Sequence, residues 1–243
     1  MNFQTGGTQL RNLLGLRVDP VAVAFRTEPP PDVPHVGTPA PAGCAYWRLA
    51  AEGQVFFTRP TDHHNCPIGA HTHGVALPAD AARELGGLLE MMARIQYIRM
   101  DEVPTIPRLG TTFGVAIYAP LTATPVEPDV IIVQGNAKQV MLLAEALYAA
   151  GLHYDPAARL RPTCAIVPTA TEAGRASLSL GCIGNRVYTG LADSELYVAI
   201  PGAQLNAVLE KLETVVAANR TLEEFHHQRE LHHQRKAQGA SSR

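Results

Sequence analysis

Apolar residues fall along this chain in two rhythms. Short, nearly unbroken runs stand at "VAVAF" (21–25), "FGVAIY" (113–118), "DVIIV" (129–133) and "ELYVAI" (195–200). Rich in β-branched residues and bounded by turn formers, they predict interior strands covered on both faces, and "QVFFT" at 54–58 reads as a further short strand. Between them apolar residues recur at helical spacing: Ala81, Leu85, Leu88, Leu89 and Met92; then Val140, Leu143, Ala144, Leu147 and Tyr148; then Leu205, Val208, Leu209, Leu212, Val215 and Val216. Each set makes one apolar stripe. "TQLRNLLGL" predicts a short first helix, "CAYWRLAAEG" a second one closed by Gly53, and the proline run "TEPPPDVP" a loop. The sum is an α/β or α+β domain. Its mixed central sheet contains Val21–Phe25, Phe113–Tyr118, Val130–Val133 and Leu196–Ile200, covered by helices near Ala81–Ile95, Ala137–Ala150 and Leu205–Ala218.

Residues 1–219 read as a single globular domain and 220–243 as a charged helical tail that frays at its end. The tail carries "HHQR" twice, and a solvated helix face is the better reading of those histidines than a metal site. With 243 residues, 46% of them hydrophobic, the chain can bury a substantial core. Its longest apolar runs are too short to cross a bilayer, and "MNFQTGGTQLRNLLGL" lacks a signal peptide's apolar segment, so a cytoplasmic protein is expected. A net charge of -2 and no basic patch outside the tail argue against a nucleic-acid partner. Small molecules or proteins are the expected partners, and the apolar helices predict self-association, most simply as a twofold homodimer.

The four cysteines, Cys44, Cys66, Cys164 and Cys182, change the picture. None lies inside a predicted apolar helix or central strand; each adjoins Gly, Pro or a polar turn, in "AGCAY", "HNCPIG", "RPTCAI" and "LGCIGN". Loops at strand ends are where scaffolds carry chemistry. The two regions also resemble each other. Each begins Cys-Ala, carries Glu and Gly about nine residues on, and ends in a second Cys beside Ile-Gly; Cys44 to Cys66 spans 22 positions and Cys164 to Cys182 spans 18. Half-repeats of about 10–100 and 110–219, related by a pseudo-twofold axis, would bring both pairs to one interface.

Four thiolates near one point repel unless a cation stands between them. Convergence therefore predicts a metal centre with Cys44, Cys66, Cys164 and Cys182 as ligands. No C-x-x-C is present, so no local zinc or ferredoxin module can be read. An iron-sulfur ([4Fe-4S]) cluster is preferred over zinc, because a structural zinc usually stabilises core-poor units. Gly69 and Gly184, with Gly181, allow backbone N–H groups to approach such a centre. Ordinary buried thiols and a metal-free redox or nucleophilic cysteine are the alternatives.

Around Cys66 stands "TDHHNCPIGAHTHG". His71 and His73, two apart in a segment read as extended, would share a face, with His63 and His64 on the other side of the cysteine. Neutral imidazole could ligate or move protons for a substrate, which makes His64, His71 and His73 the candidate catalytic groups. After Cys182, Asn185 and Arg186 could bind a carboxylate or carbonyl, and Arg161 and Arg48 lie beside the other cysteines. A lone Gly135 after "DVIIV" is not a phosphate-binding glycine loop. Three functions stay open: an iron-sulfur enzyme acting on a small molecule, a metal or cofactor carrier (zinc) without catalysis, and a metal-free enzyme in which His64 or His71 activates Cys66.

The segments "PVAVAF", "CAYWRLAAEGQVFF", "DHHNCPIGAHTHG", "YAPL", "PDVIIVQGNAKQVMLLAEAL", "RPTCAI" and "LGCIGNRVYTGLADSELYVAIPG" together resemble the domain of unknown function 169 family of bacteria and archaea. The resemblance spans roughly Leu10 to Asn219. It implies one intact domain of a prokaryotic family and brings no activity with it.

Overall fold

The structure, a computed structural model, describes residues 2–152, 154–159 and 161–240. Seven strands form one mixed sheet: β1 (Val21–Arg26), β2 (Phe56–Thr58), β3 (Val115–Pro120), β4 (Val130–Asn136), β5 (Tyr154–Arg159), β6 (Ala176–Ser179) and β7 (Glu195–Pro201). Their order across the sheet is β2-β3-β1-β4-β7-β6-β5. Neighbours are antiparallel except β5 and β6, which are parallel. All four strands expected from apolar runs lie in this sheet.

Helices α1 (Phe3–Leu14), α5 (Ala137–Ala149) and α8 (Leu205–Ala240) cover one face. There Leu10, Leu143, Leu147, Leu209 and Leu212 pack on Ala22, Ile131, Val133, Val198 and Ile200. Burying each such Leu or Ile side chain stabilises by about 1.5–3 kcal/mol before chain entropy is counted. The opposite face bears α2 (Ala45–Ala51) and α6 (Ile166–Ala173). Trp47, Ile166 and Val167 meet Val21, Val23, Val130 and Ile132 there. Alternate residues of β1 and β4 thus serve two cores, which is why those runs are apolar throughout. Helix α8 stays helical beyond Asn219; residues 221–236 are exposed, with Glu223 paired to Lys138 of α5 at 2.7 Å. The fraying predicted for the final residues falls outside the described ones.

The strand order is a palindrome about the β1–β4 pair. From the centre outward one side reads β1, β3, β2 and the other β4, β7, β6, with β5 added at the edge. With α5 and β5 of the second unit and the helix Ala79–Arg94 of the first set aside, each unit runs strand, cysteine-led helix, short strand, cysteine-led helix, strand. Even the ends match: the Leu121 N–H donates to Pro20 O at 2.7 Å, and the Gly202 N–H to Asp129 O at 2.9 Å. Because β1 and β4 are antiparallel neighbours, the axis relating the units runs perpendicular to the sheet and leaves both cysteine pairs on one face. The unit boundary is later than the sequence comparison places it: β3 completes the first unit, so the halves are 21–120 and 130–201.

Helix α4 (Ala79–Arg94) departs from expectation. It was expected to cover the sheet, yet Ala81 is its one buried residue, and it packs on α3 (Pro67–Thr72). Its apolar stripe faces a cavity instead.

Candidate functional site

Every cysteine stands at the start of a helix. Cys44 precedes α2, Cys66 precedes α3, and Cys182 precedes α7 (Ile183–Thr189); Cys164 lies in the single turn Thr163–Ala165 that opens into α6. Helix starts offer unpaired N–H groups and the positive end of the peptide dipoles, a setting that favours sulfur carrying negative charge. The Gly69 N–H donates to Cys66 Sγ at 3.3 Å, and the Cys182 N–H donates to Thr163 Oγ1 at 2.6 Å, tying that cysteine to the neighbour of Cys164. Gly69 has no room for a side chain, since a Cβ there would lie 2.9 Å from Cys66 Sγ and 3.7 Å from Gly43 Cα. Gly181, at φ +78°, turns the chain into Cys182. Gly184, in the first turn of α7, has open space around it and lines the cavity described below.

All four thiols are free. Burial pushes Cys44 up to about 12; the Asn185 amide lowers it, and Cys66 and Cys182 raise it further. Cys164 is held well above the usual thiol range by burial, then by Cys66, Cys44 and Cys182, against a lowering contact from the Thr72 hydroxyl. Without a nearby cation Cys44 and Cys164 are therefore neutral thiols at neutral pH. Asn185 is 1% exposed, and neither amide atom has a partner at normal hydrogen-bond geometry, so it stands between Cys44 and Tyr197 with unused capacity. Among the described residues, no group of three or more His, Cys, Asp or Glu side chains is drawn in to hold a metal ion.

The histidines divide. Pro67, directly after the capping Cys66, starts a helix where an extended segment was expected, and the helical turn sends His71 and His73 in different directions. His71 lines the cavity. His73 is 1% exposed; its Nδ1–H donates to Gly69 O at 2.8 Å, and its ring stacks on that of His63 at 5.0 Å. His63 pairs through Nε2 with Thr58 Oγ1 at 3.0 Å. Nδ1 of His63 and Nε2 of His73 are buried without partners. His64 ends the single turn Pro60–His63 half-exposed, outside the cavity. No hydrogen bond joins any of the four cysteines to a histidine among the described residues.

Arg186 is committed elsewhere: its guanidinium donates to the carbonyls of Ala192, Leu180 and Glu195 at 2.9, 2.5 and 3.3 Å, bracing the turn into β7. Arg48 makes a surface pair with Glu52 at 3.7 Å. Arg161 instead faces the cavity beside Cys182, of about 270 Å³, whose walls include Leu85, Leu89 and Met92 of α4, with Ile98 and Ile106. The α4 stripe was legible as one apolar face; nothing in its spacing told a cavity wall from a core contact.

Burial pushes His63 well below its ordinary range, as do His73 and His64, and burial lowers His73 against a raising contact from Gly69 O. Both are neutral when folded and protonate more readily when unfolded. Their contribution is complete above about pH 6.5 and is lost as pH falls below it, each at about 1.4 kcal/mol per unit. Urea unfolding is expected to lose about 2 to 3 kcal/mol between pH 7.5 and 5.5 from this pair. In the double variant His63→Gln, His73→Gln that loss shrinks; a native profile flat over this range would contradict the assignment.

The chain matches the model of the DUF169 family, described as uncharacterised ArCR, over residues 9–211. It is 27% identical over 157 residues, 63% of this chain and 67% of the relative, to an uncharacterized protein of the archaeon Methanocaldococcus jannaschii. No solved structure matches it.

Proposed function

The chain belongs to the DUF169 family, and from its four thiols at helix starts we propose that it is a metalloprotein whose cysteines from both halves hold an iron-sulfur cluster beside a small-molecule cavity. One observation carries the reading: Cys44, Cys66, Cys164 and Cys182 come from two related units, and Cys66 and Cys182 stand near enough to Cys44 and Cys164 to raise the proton affinity of those two buried thiols. The donor set fits such a group. It offers soft sulfur ligands, helix-start N–H groups to offset excess negative charge, and the unused amide of Asn185. Zinc is the alternative: its ligand sulfurs would stand about 3.5 to 4 Å apart, against about 6 to 7 Å for a cubane, and metal analysis separates the two.

When bound, such a cluster supplies a Lewis acid or an electron donor next to substrate. The chain's own residues hold and shape the site: Cys182, His71 and Gly184 border the cavity, and Leu85, Leu89 and Met92 of α4 line it. A metal-free mechanism through Cys66 lacks the histidine contact it needs. Among the described residues no helix is long and apolar enough to cross a membrane, and we place the protein in the cytoplasm. Self-association as a homodimer is part of the same proposal, supported by exposed apolar side chains such as Ile183 and Val187 on α7. Anaerobic purification followed by iron, sulfide and zinc analysis tests the centre: iron and sulfide near four of each per chain is the expected result. Stoichiometric zinc, or neither metal, would overturn it.

A further inference from the structure

Each of the two buried cysteines, Cys44 and Cys164, is approached by the second cysteine-led helix of the other unit. Helix α7 packs on α2, which Cys44 opens, and α3 packs on the turn that holds Cys164. On the inner face of α7, Asn185 and Thr189 stand one helical turn apart, the Thr189 hydroxyl donating to Asn185 O at 2.8 Å. Tyr197 fixes that face: its hydroxyl donates to Thr189 Oγ1 at 3.3 Å, and its ring meets Trp47, three residues after Cys44, edge-on at 5.5 Å. Asn185 is thereby held between Cys44 and Tyr197, 1% exposed. Its amide oxygen lies toward Gly181, where a Cβ would stand 3.1 Å from it, and both amide atoms are buried without a partner. A buried N–H that no acceptor meets is unfavourable, which calls for a state of the molecule that uses it. Thr72 of α3 is the counterpart at Cys164, but its hydroxyl already donates to Gly69 O at 2.9 Å. Of the two, the spare donor is the one on the Cys44 side.

We propose that Asn185 is a positioning residue for the metal-bound state: its amide N–H donates to the Cys44 sulfur when that sulfur is a ligand, and so favours the loaded protein over the empty one. A neutral thiol is a weak acceptor, whereas an ionised sulfur accepts strongly. The amide is therefore idle while Cys44 keeps its proton and engaged once a metal displaces it. Stability of the empty chain and affinity for metal pull in opposite directions at this one position. The inference rests on the reading of the four cysteines as ligands. It replaces the carboxylate or carbonyl contact expected of Asn185, which is not in the cavity wall.

Cadmium is the probe, because its binding to thiolates is read directly as sulfur-to-metal charge-transfer absorbance. Asn185→Leu keeps the size of the side chain and removes the donor. Titration of the metal-free full chain with Cd²⁺ is expected to show affinity about tenfold weaker than native, the effect of one hydrogen bond to a charged group. The metal-free melting temperature of the same variant is expected to equal or exceed the native one, since an unmet buried polar group has gone. In a Cys44→Ser background, where three cysteines still bind cadmium, Asn185→Leu is expected to change the affinity by less than about twofold. Native affinity in Asn185→Leu overturns the inference, as does an equal loss in both backgrounds, a metal-free melting temperature that falls along with the affinity, or a native chain that binds no cadmium. Iron content of the chains as purified anaerobically keeps the two readings apart: coupling of Asn185 to Cys44 without iron defeats the cluster alone, and iron without coupling defeats the role of Asn185 alone.

Discussion

If the proposed cluster is bound, serine in place of Cys182 is expected to lower iron to less than a tenth of the native content, and the same replacement at Cys44, Cys66 or Cys164 is expected to do likewise. Cys182 is the cleanest position, because its side chain is only partly buried and borders the cavity, so the change leaves the core intact. The expected effect is large because the ligands act together. Burial pushes Cys44 up to about 12 and holds Cys164 well above the usual thiol range, so each gives up its proton only when a cation compensates it. Removing one ligand weakens the centre that stabilises the remaining thiolates. Losses beyond the roughly 10- to 100-fold typical of an outer-shell change are expected. Iron content that stays native in all four variants, with native melting temperatures, would leave ordinary thiols as the explanation.

Alanine at Gly202 is expected to cost about 3 to 5 kcal/mol, the range reached when a side chain is forced into backbone. A Cβ there would lie 1.8 Å from Pro128 O. The clash falls where the end of β7 meets the start of β4, beside Asp129. That carboxylate accepts from the Phe25 N–H at 2.6 Å and from Arg26 Nη1 at 2.8 Å, joining the two halves. Gly86 and Gly87 on α4 have open space around them, and alanine at either is expected to gain about 0.5 to 1 kcal/mol from helix propensity alone. Denaturant midpoints compare the three directly. A Gly202→Ala protein within about 1 kcal/mol of native would show that the junction can shift.

The central strands were legible because burial on both faces removes polar residues from them, as in Val130–Val133. β5 was not: "YDPAAR" carries a proline and charges, which only an edge position tolerates. Helix α3 was hidden because Pro67 and Gly69 leave almost no periodicity in its six residues. That one missed turn misplaced His73, which serves the core, while His71 reached the cavity. The cysteines stood out for a local reason, each beside a turn former, and those turns are helix starts. Their partners did not stand out. Arg161 was picked out beside Cys164, but Tyr97 and Glu102 meet it only through tertiary folding, and single charged or aromatic residues carry no spacing signal.

The central position of β1 also fixes an order of events during synthesis. β1 pairs with β3 and β4, so it has no partner until residues 115–136 exist. At about 5–20 residues per second, the nascent chain carries this apolar strand unpaired for on the order of ten seconds. Cys44 and Cys66 emerge in that interval, before either cysteine of the second unit. A group that requires all four thiols can be installed only after Cys182 and β7 have left the ribosome. Chains interrupted earlier present an open β4 edge and reactive thiols together, which marks them for chaperones and proteases in place of assembly.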